Sequence, residues 1–405
     1  MVKNNAKLRL LYVQPSEGFG GAERQSVVMA RYLPFEDIEV IPFIGPGEPI
    51  ARALKDAGIT NFEYCKDLPS AMEGPGSIFR KLHRFVRLIV AWKRTSRRIT
   101  QVVREYKIDI VLAARAFGWT VVSRNTLPNH VRILWRAGSR PTTWIHRKLL
   151  YILGKIQRPD ALICNCKSVE RLISPCLNCE SFIVPNGVDV EEFNPQSAYP
   201  HFRHEHSFQD CPIVGMAARP APEKGFDILI QIIDIIRAEI PRVRILIAGD
   251  HAWKDTYKKV FSRHGLTEEV VFLGHIDNMA DFYASCDVIV LTSREKSIEG
   301  SPNTVLEAMA MARSIVAADV GGIHEIISHG ENGFLAAPEK PSAFAYYLVH
   351  LLKTPLRQKE MGNAGKKTVE TLYSHQKSAE RLANVCRLTF TQTRRDEERH
   401  ANDSE

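Results

Sequence analysis

Two glutamates, Glu299 and Glu307, stand eight positions apart in the stretch SREKSIEGSPNTVLEAMA, residues 293–310. The apolar run DVIVLTS just before it reads as a strand, so residues 294–300 leave that strand's carboxyl end. Ser301 followed by Pro302 reads as the N-cap and first position of a helix, PNTVLEAMAMA. The start of such a helix offers free backbone N–H groups and a positive dipole end, both suited to phosphate oxygens. Glu299 belongs to the loop above that end, and Glu307 falls roughly 7–8 Å further along the helix axis. Carboxylates so spaced can hold different parts of one extended ligand, and they do not share one proton. Taken alone, the pair is better explained as a solvated helix residue and a loop surface charge.

Two cations join them. The run IVGMAAR ends in Arg219, and PAPEKG brings Lys224 to the entry of the next helix, so both belong to the same rim of strand ends as Glu299. They would complement a diphosphate held at the helix end, although each would also fit a local ion pair or a surface cap. Near the start, PSEGFGGAERQ places Gly18, Gly20 and Gly21 in a tight loop before a helix, where backbone can approach an anion closely. The dinucleotide fingerprint G-x-G-x-x-G is absent from this loop, and a plain strand-to-helix turn explains it nearly as well.

Alternating elements must position these loops. Short β-branched runs alternate with helical patterns from the beginning: LRLLYVQP, GAERQSVVMARYL, IEVIPFI, EPIARALKDAG. This is the pattern of parallel sheets covered on both faces. The first series ends near SFIVPNGVDVEEFNP, and a second runs from IVGMAAR to GFLAAP. The expected architecture is α/β, with two doubly wound sheets: residues 1–194, a linker at 195–212, and residues 213–374. The helix 375–391 is expected to return to the first domain, and the charged tail 392–405 to be disordered. In such open sheets ligands bind beyond the carboxyl ends of the strands.

A chain of 405 residues has room for two cores, and its 44% hydrophobic content excludes a disordered or fibrous class. The formal charge of +8 favours anionic partners without choosing among them. No run reaches the ~18 apolar residues of a spanning helix, and the opening MVKNNAKLRLLYVQP has too short an apolar run for a signal peptide. The expected location is the cytoplasm or the cytosolic face of a membrane. Eight cysteines in this length do not make a disulfide scaffold. Cys164, Cys166, Cys176 and Cys179 could supply four thiolates to a zinc ion, but buried or surface thiols fit them better.

Taken together, GFGGAERQ, VPNGVDVEEFNP, GMAARPAPEKGFDILI, ILIAGD, VVFLGHIDNMADFYASCDVIVLTS, EGSPNTVLEAMA, VAADVGGIHEII and ENGFLAA resemble the retaining nucleotide-sugar glycosyltransferases of family 4. The resemblance covers nearly the whole chain in order. It implies the GT-B fold, two facing Rossmann-like domains with a central cleft, the first on the acceptor side and the second binding the nucleotide sugar. Glu299 and Glu307 then fall on the family's E-x7-E motif, facing the donor sugar and the nucleotide ribose. Arg219 and Lys224 fall on its diphosphate-binding pair, the backbone of Asn303 and Thr304 on its phosphate-cradling turn, and Ser301, Gly20 and Gly21 on the donor-binding loops. The resemblance implies neither a metal nor another cofactor, a UDP- or GDP-sugar donor, and transfer with retained configuration to a glycan or lipid-linked acceptor, as in bacterial surface polysaccharide or lipopolysaccharide synthesis. A nucleotide-sugar epimerase and a catalytically silent nucleotide-binding scaffold are the rival readings.

The chain departs from the family pattern twice. Arg136, in RILWRAGSRP, stands where many relatives carry a cleft histidine; it suits an anionic acceptor or donor group and a structural arginine equally. Arg313 and Ser314 replace a small Gly-Pro turn. Residues 78–104 carry nine Lys or Arg and no acid among apolar residues, which suits peripheral docking on an anionic membrane. A buried helix with a basic outer face is the other reading. Nucleic-acid binding is not expected, because no recognition module accompanies the charge.

Overall fold

The computed structural model describes residues 7–15, 21–68, 78–138, 144–250, 253–297 and 299–402; for 22, 78–88, 116–117, 144–146 and 392–402 it describes the backbone alone. The chain divides into two compact units, Met1–Pro185 with His375–Glu405, and Asn186–Ser374.

The first unit is built on seven parallel strands: β1 (Leu8–Gln14), β2 (Ile38–Ile44), β3 (Glu63–Tyr64), β4 (Ile110–Ala114), β5 (Arg132–Ala137), β6 (Ala161–Cys164) and β7 (Glu180–Ile183), in the order β3-β2-β1-β4-β5-β6-β7. Its helices are α1 (Gly21–Tyr32), α2 (Glu48–Asp56), α3 (Ile78–Glu105), α4 (Arg115–Thr120), α5 (Trp144–Ile156) and α6 (Lys167–Leu177). Strand side chains alternate between faces, so in β1 Leu11 and Val13 join one core with Ile99, Val102, Leu150 and Ile173. Leu10 and Tyr12 join the other, with Met29, Ile50 and Leu54. Continuous apolar strands are buried because helices cover both faces.

The second unit has six parallel strands: β8 (Ile213–Ala217), β9 (Arg244–Ala248), β10 (Val270–Gly274), β11 (Val288–Leu291), β12 (Ser314–Ala318) and β13 (Phe334–Ala336), ordered β10-β9-β8-β11-β12-β13. Around them lie α7 (His201–Glu205), α8 (Phe226–Glu239), α9 (Lys254–Arg263), α10 (Met279–Ser285), α11 (Asn303–Ala310), α12 (Pro341–Lys353) and α13 (Pro355–Leu372). In both sheets the strand order reverses beside the first strand, the switch point where ligands enter.

Two features differ from the sequence-based expectation. Residues 195–212 are not a free linker: Tyr199 N–H donates to Asp281 (2.9 Å), Phe202 N–H to Ser285 Oγ (3.1 Å), and Arg203 to Asp287 (2.7 Å), while Phe202 and Phe208 pack on the core. The three prolines hid a segment fixed by hydrogen bonds to α10 and the turn after it. The last helix, α14 (His375–Asn402), runs into the tail 392–405 that was expected to be disordered, as far as Asn402; residues 392–402 contain no Gly or Pro and are rich in Arg and Glu, which favour helix. Its first half packs into the first unit through Leu382 and Cys386, and Arg387 donates to Glu36 O (2.6 Å).

Candidate functional site

In the second unit Thr292 follows the end of β11, and its hydroxyl donates to the carbonyls of Lys224 (2.8 Å) and Gly225 (3.1 Å). Gly225 has φ +70, and a Cβ there would lie 2.1 Å from Thr292 O, so only glycine lets the turn Pro222–Lys224 approach this strand end. Lys224 Nζ donates to Glu299 Oε1, and Ser293 Oγ (2.6 Å) and Ser297 Oγ (3.3 Å) donate to the same oxygen. Among the described residues no donor reaches Oε2.

The backbone of Glu299 is held as firmly. Gly322 N–H donates to its carbonyl (3.0 Å), and Gly321, at φ +61, brings its Cα so close that a Cβ would lie 1.9 Å from that oxygen. Burial raises the carboxyl's pKa, while the Lys224 ammonium and the two serine hydroxyls lower it further; the net position is below the usual carboxylate range. Glu299 is therefore ionised at neutral pH although it is only 8% exposed.

Glu307 occupies a different environment. It is buried on α11, and Tyr283 Oη donates to its Oε2 at 2.8 Å. Burial, then the Glu307 charge, push the Tyr283 phenol well above its ordinary value, so the hydroxyl remains a donor. The first turn of α11 is tied to β8 by Thr304 Oγ1, which donates to Ala217 O (3.0 Å). The helix begins at Asn303 with Pro302 as N-cap, one residue later than expected, because Pro302 has extended backbone (ψ 124). Ser301 does not cap: its hydroxyl accepts from Asn186 N–H (3.3 Å), while Asn186 Nδ2 donates to Ser301 O (2.8 Å) and Asn303 Oδ1 (3.1 Å). Arg219 lies two residues beyond β8, on the same rim, with 65% of its side chain exposed and a loose ion pair to Glu223 (3.9 Å). Lys224 and Glu299 are thus brought together, Glu307 is held by Tyr283, and Arg219 keeps only a loose pair with Glu223.

Sequence reading missed Ser293, Ser297, Tyr283 and Asn186. The serines lie within the quoted glutamate stretch and Asn186 within VPNGVD, so polar residues at strand ends were a usable signal. Nothing local marks Tyr283, which reads as one more core aromatic.

In the first unit Gly20 lies outside the described residues, and Gly21 opens α1. Two residues on, the buried Glu23 accepts from Gln14 Nε2 (3.2 Å) and Arg115 Nη2. Arg115 follows β4 directly at φ +59, a conformation non-glycine residues rarely hold, and Trp135 Nε1 donates to its carbonyl (3.0 Å). Arg136, at the end of β5, is 7% exposed and lies against Tyr12. Burial raises the Tyr12 pKa and Arg136 opposes it. Arg313 earns its place in the turn after α11 by donating to Met311 O (3.1 Å) and Cys286 O (3.1 Å).

The four cysteines make separate local contacts. Cys166 caps α6, its thiol accepting from Val169 N–H (3.4 Å), Cys176 donates to Leu172 O (3.9 Å), and burial pushes Cys179 up to about 11. Among the described residues no group of three or more His, Cys, Asp or Glu side chains is placed to hold a metal ion. No helix among them is long and apolar enough to cross a membrane.

Two parallel Rossmann-like sheets with ligand-type loops at the strand ends define the GT-B class, and the fold of Anabaena HepE, solved in complex with UDP, superposes with a TM-score of 0.76 over 93% of this chain and 99% of that one, at 19% identity. Residues 211–354, within the second unit, match the family model described as Glycosyl transferases group 1. The putative glycosyltransferase EpsD of Bacillus subtilis is 31% identical over 202 residues, 49% of this chain and 52% of that protein. The GDP-mannose-dependent monoacylated alpha-(1-6)-phosphatidylinositol monomannoside mannosyltransferase of Corynebacterium glutamicum is 28% identical over 211 residues, 50% and 55%. The chain thus matches about half the length of each of these relatives.

Proposed function

We propose that the protein is a retaining glycosyltransferase that moves a sugar from a UDP- or GDP-sugar to a glycan or lipid-linked acceptor, without a metal, in the assembly of a bacterial surface polysaccharide. The observation that carries this reading is the Lys224–Glu299 pair at the strand ends of a unit matched by the group 1 family model. An ammonium has three donors, so Lys224 can keep Glu299 and still take a phosphate oxygen. With Arg219 and the start of α11 it neutralises the departing diphosphate as the bond from the anomeric carbon to the phosphate oxygen breaks. Glu299 Oε2 orients the donor sugar and stabilises the positive charge developing on it. Glu307, held by Tyr283, takes the ribose hydroxyls. The leaving phosphate accepts the proton of the incoming hydroxyl on the same face, so the configuration is retained and no protein base is consumed. The acceptor is taken up by the first unit, near Arg136, with the enzyme peripheral to the cytosolic face of a membrane through the region 78–104.

The names of the relatives support a nucleotide-sugar donor: one is a GDP-mannose-dependent mannosyltransferase, and HepE was solved with UDP. The test is nucleotide release by the full-length protein from a panel of UDP- and GDP-sugars, with and without a membrane lipid extract, against Arg219→Ala. Release from one donor that rises with lipid and disappears in the variant is the expected result. Nucleotide binding with no turnover under any condition would replace the transferase by a silent binder, and conversion of a nucleotide sugar without an acceptor would replace it by an epimerase.

A further inference from the structure

Helix α5, which the sequence reading passed over, carries an unusual surface. Four large apolar side chains are exposed within eight residues: Leu149 (51%), Tyr151, Ile152 and Ile156 (75%). Its inner side is accounted for: Leu150 is buried in the core, and Gly154 sits so close to α6 that a Cβ would lie 2.8 Å from Cys176 O. At 100° per residue Leu149, Ile152 and Ile156 form one outward stripe. Lys148 and Lys155 flank it, and Lys155 Nζ lies 4.6 Å from the centre of the Tyr151 ring. Arg147 and Arg158 are exposed beside them, and no carboxylate occurs between Trp144 and Pro159.

The described part of α3 extends this surface. Both helices cover the same face of the first sheet, and both are bonded to α4: Trp92 Nε1 donates to Thr120 O (2.6 Å) and Gln157 Nε2 to Trp119 O (2.8 Å). Ile89 and Val90 on α3 are exposed, with Lys93 and Arg94 beside them.

We infer that α5 is an interfacial helix that lies on an anionic lipid surface, its Leu149–Ile152–Ile156 stripe among the acyl chains and its lysines and arginines at the headgroups. An apolar stripe rimmed by cations alone matches a negatively charged bilayer, and aromatic side chains such as Tyr151 suit the level of the headgroups. A second copy of this chain fits poorly, since a two-fold contact would bring Lys148, Lys155, Arg147 and Arg158 onto their like. At 13 residues the helix is about 20 Å long, short for a span and suited to lying in the interface. The inference rests on the membrane docking proposed above and moves its centre from the region 78–104 to α5; lipid binding is read without turnover, so its failure is distinct from a failure of the transferase reading.

The test is co-sedimentation of the full-length protein with phosphatidylcholine vesicles, with and without a large fraction of phosphatidylglycerol. Binding is expected only with phosphatidylglycerol, weakening as salt rises. With each basic residue near the surface contributing about fivefold, Lys148→Glu/Lys155→Glu should lower binding by more than tenfold, and Ile152→Ser/Ile156→Ser should abolish it. Both variants should keep the wild-type thermal midpoint and nucleotide binding; if the serine variant fails to fold, the charge variant alone decides. Undiminished vesicle binding in the charge variant would overturn the inference. So would loss of binding in Ile89→Ser/Val90→Ser alone, or a wild-type dimer that α5 variants dissociate while vesicles are ignored.

Discussion

The strand-end loops of the two units hold a buried carboxylate in opposite ways. In the second unit Glu299 gathers an ammonium and two hydroxyls on Oε1, while no described donor reaches Oε2. In the first, Glu23 takes the Gln14 amide and the Arg115 guanidinium, and the half-exposed Arg115 is the group presented to solvent. One fold thus offers a carboxylate oxygen in one unit and a cation in the other. The parallel sheet decides where a side chain can be presented; the residues beside it decide which charge is shown. The supporting backbone differs too: Gly225 and Gly321 press the second unit's loops into contacts no Cβ would permit, whereas the first unit fixes its loop with Arg115 in a strained conformation.

The comparison breaks most sharply at Lys224. Lys224→Ala leaves the buried Glu299 without its cation, which should cost about 3 kcal/mol of stability and lower kcat/KM by roughly a thousandfold, the size of losing one oxyanion-type donor with its charge. Denaturation and donor kinetics check it, and Lys224→Met/Glu299→Leu should recover stability without turnover. Gly321→Ala comes next: with φ +61 and the Glu299 carbonyl in the way, the loop must move, and about 2–3 kcal/mol with a large loss of kcat is expected. Tyr283→Phe removes one hydrogen bond to a buried carboxylate, worth about 1.5–3 kcal/mol, and should weaken nucleotide binding about tenfold by calorimetry.

Two weaker effects sharpen the contrast. Arg115→Ala strips Glu23 of its cation but leaves its amide donor, so about 1–2 kcal/mol is expected, with acceptor KM raised and nucleotide affinity unchanged; a fall in nucleotide affinity would remove the division of labour proposed for the units. The pH dependence should also be local. Because the folded pKa of Glu299 lies below its ordinary 4.5, its stabilising contribution is complete above that value and is lost as pH falls through the lower, folded one. Replacing Glu299 by Gln should flatten the acid limb of a stability–pH curve, measured by thermal unfolding at stepped pH.

Much of this was legible because it is local. Most strands of both sheets stand out as short apolar runs, the two-residue β3 excepted. Lys224 and Glu299 sit at loop positions that strand-helix alternation sends to one rim. What was misread had no periodicity of its own: 195–212 is ordered by hydrogen bonds to α10 and the turn after it, and the helix start at Asn303 depends on how Asn186 engages Ser301.

The amino-acid sequence by itself determined two α/β units and the rim on which Arg219, Lys224 and Glu299 stand, with Glu307 further along the next helix, because hydrophobic period and turn chemistry act over a few residues. Only the tertiary structure decided that Lys224 reaches Glu299 while Arg219 does not, that Tyr283 holds Glu307, and that α5 keeps an apolar stripe outward. Those facts depend on which side chains meet across 24 to 75 positions of chain, and on which face of a helix finds no partner, matters that packing settles and spacing does not.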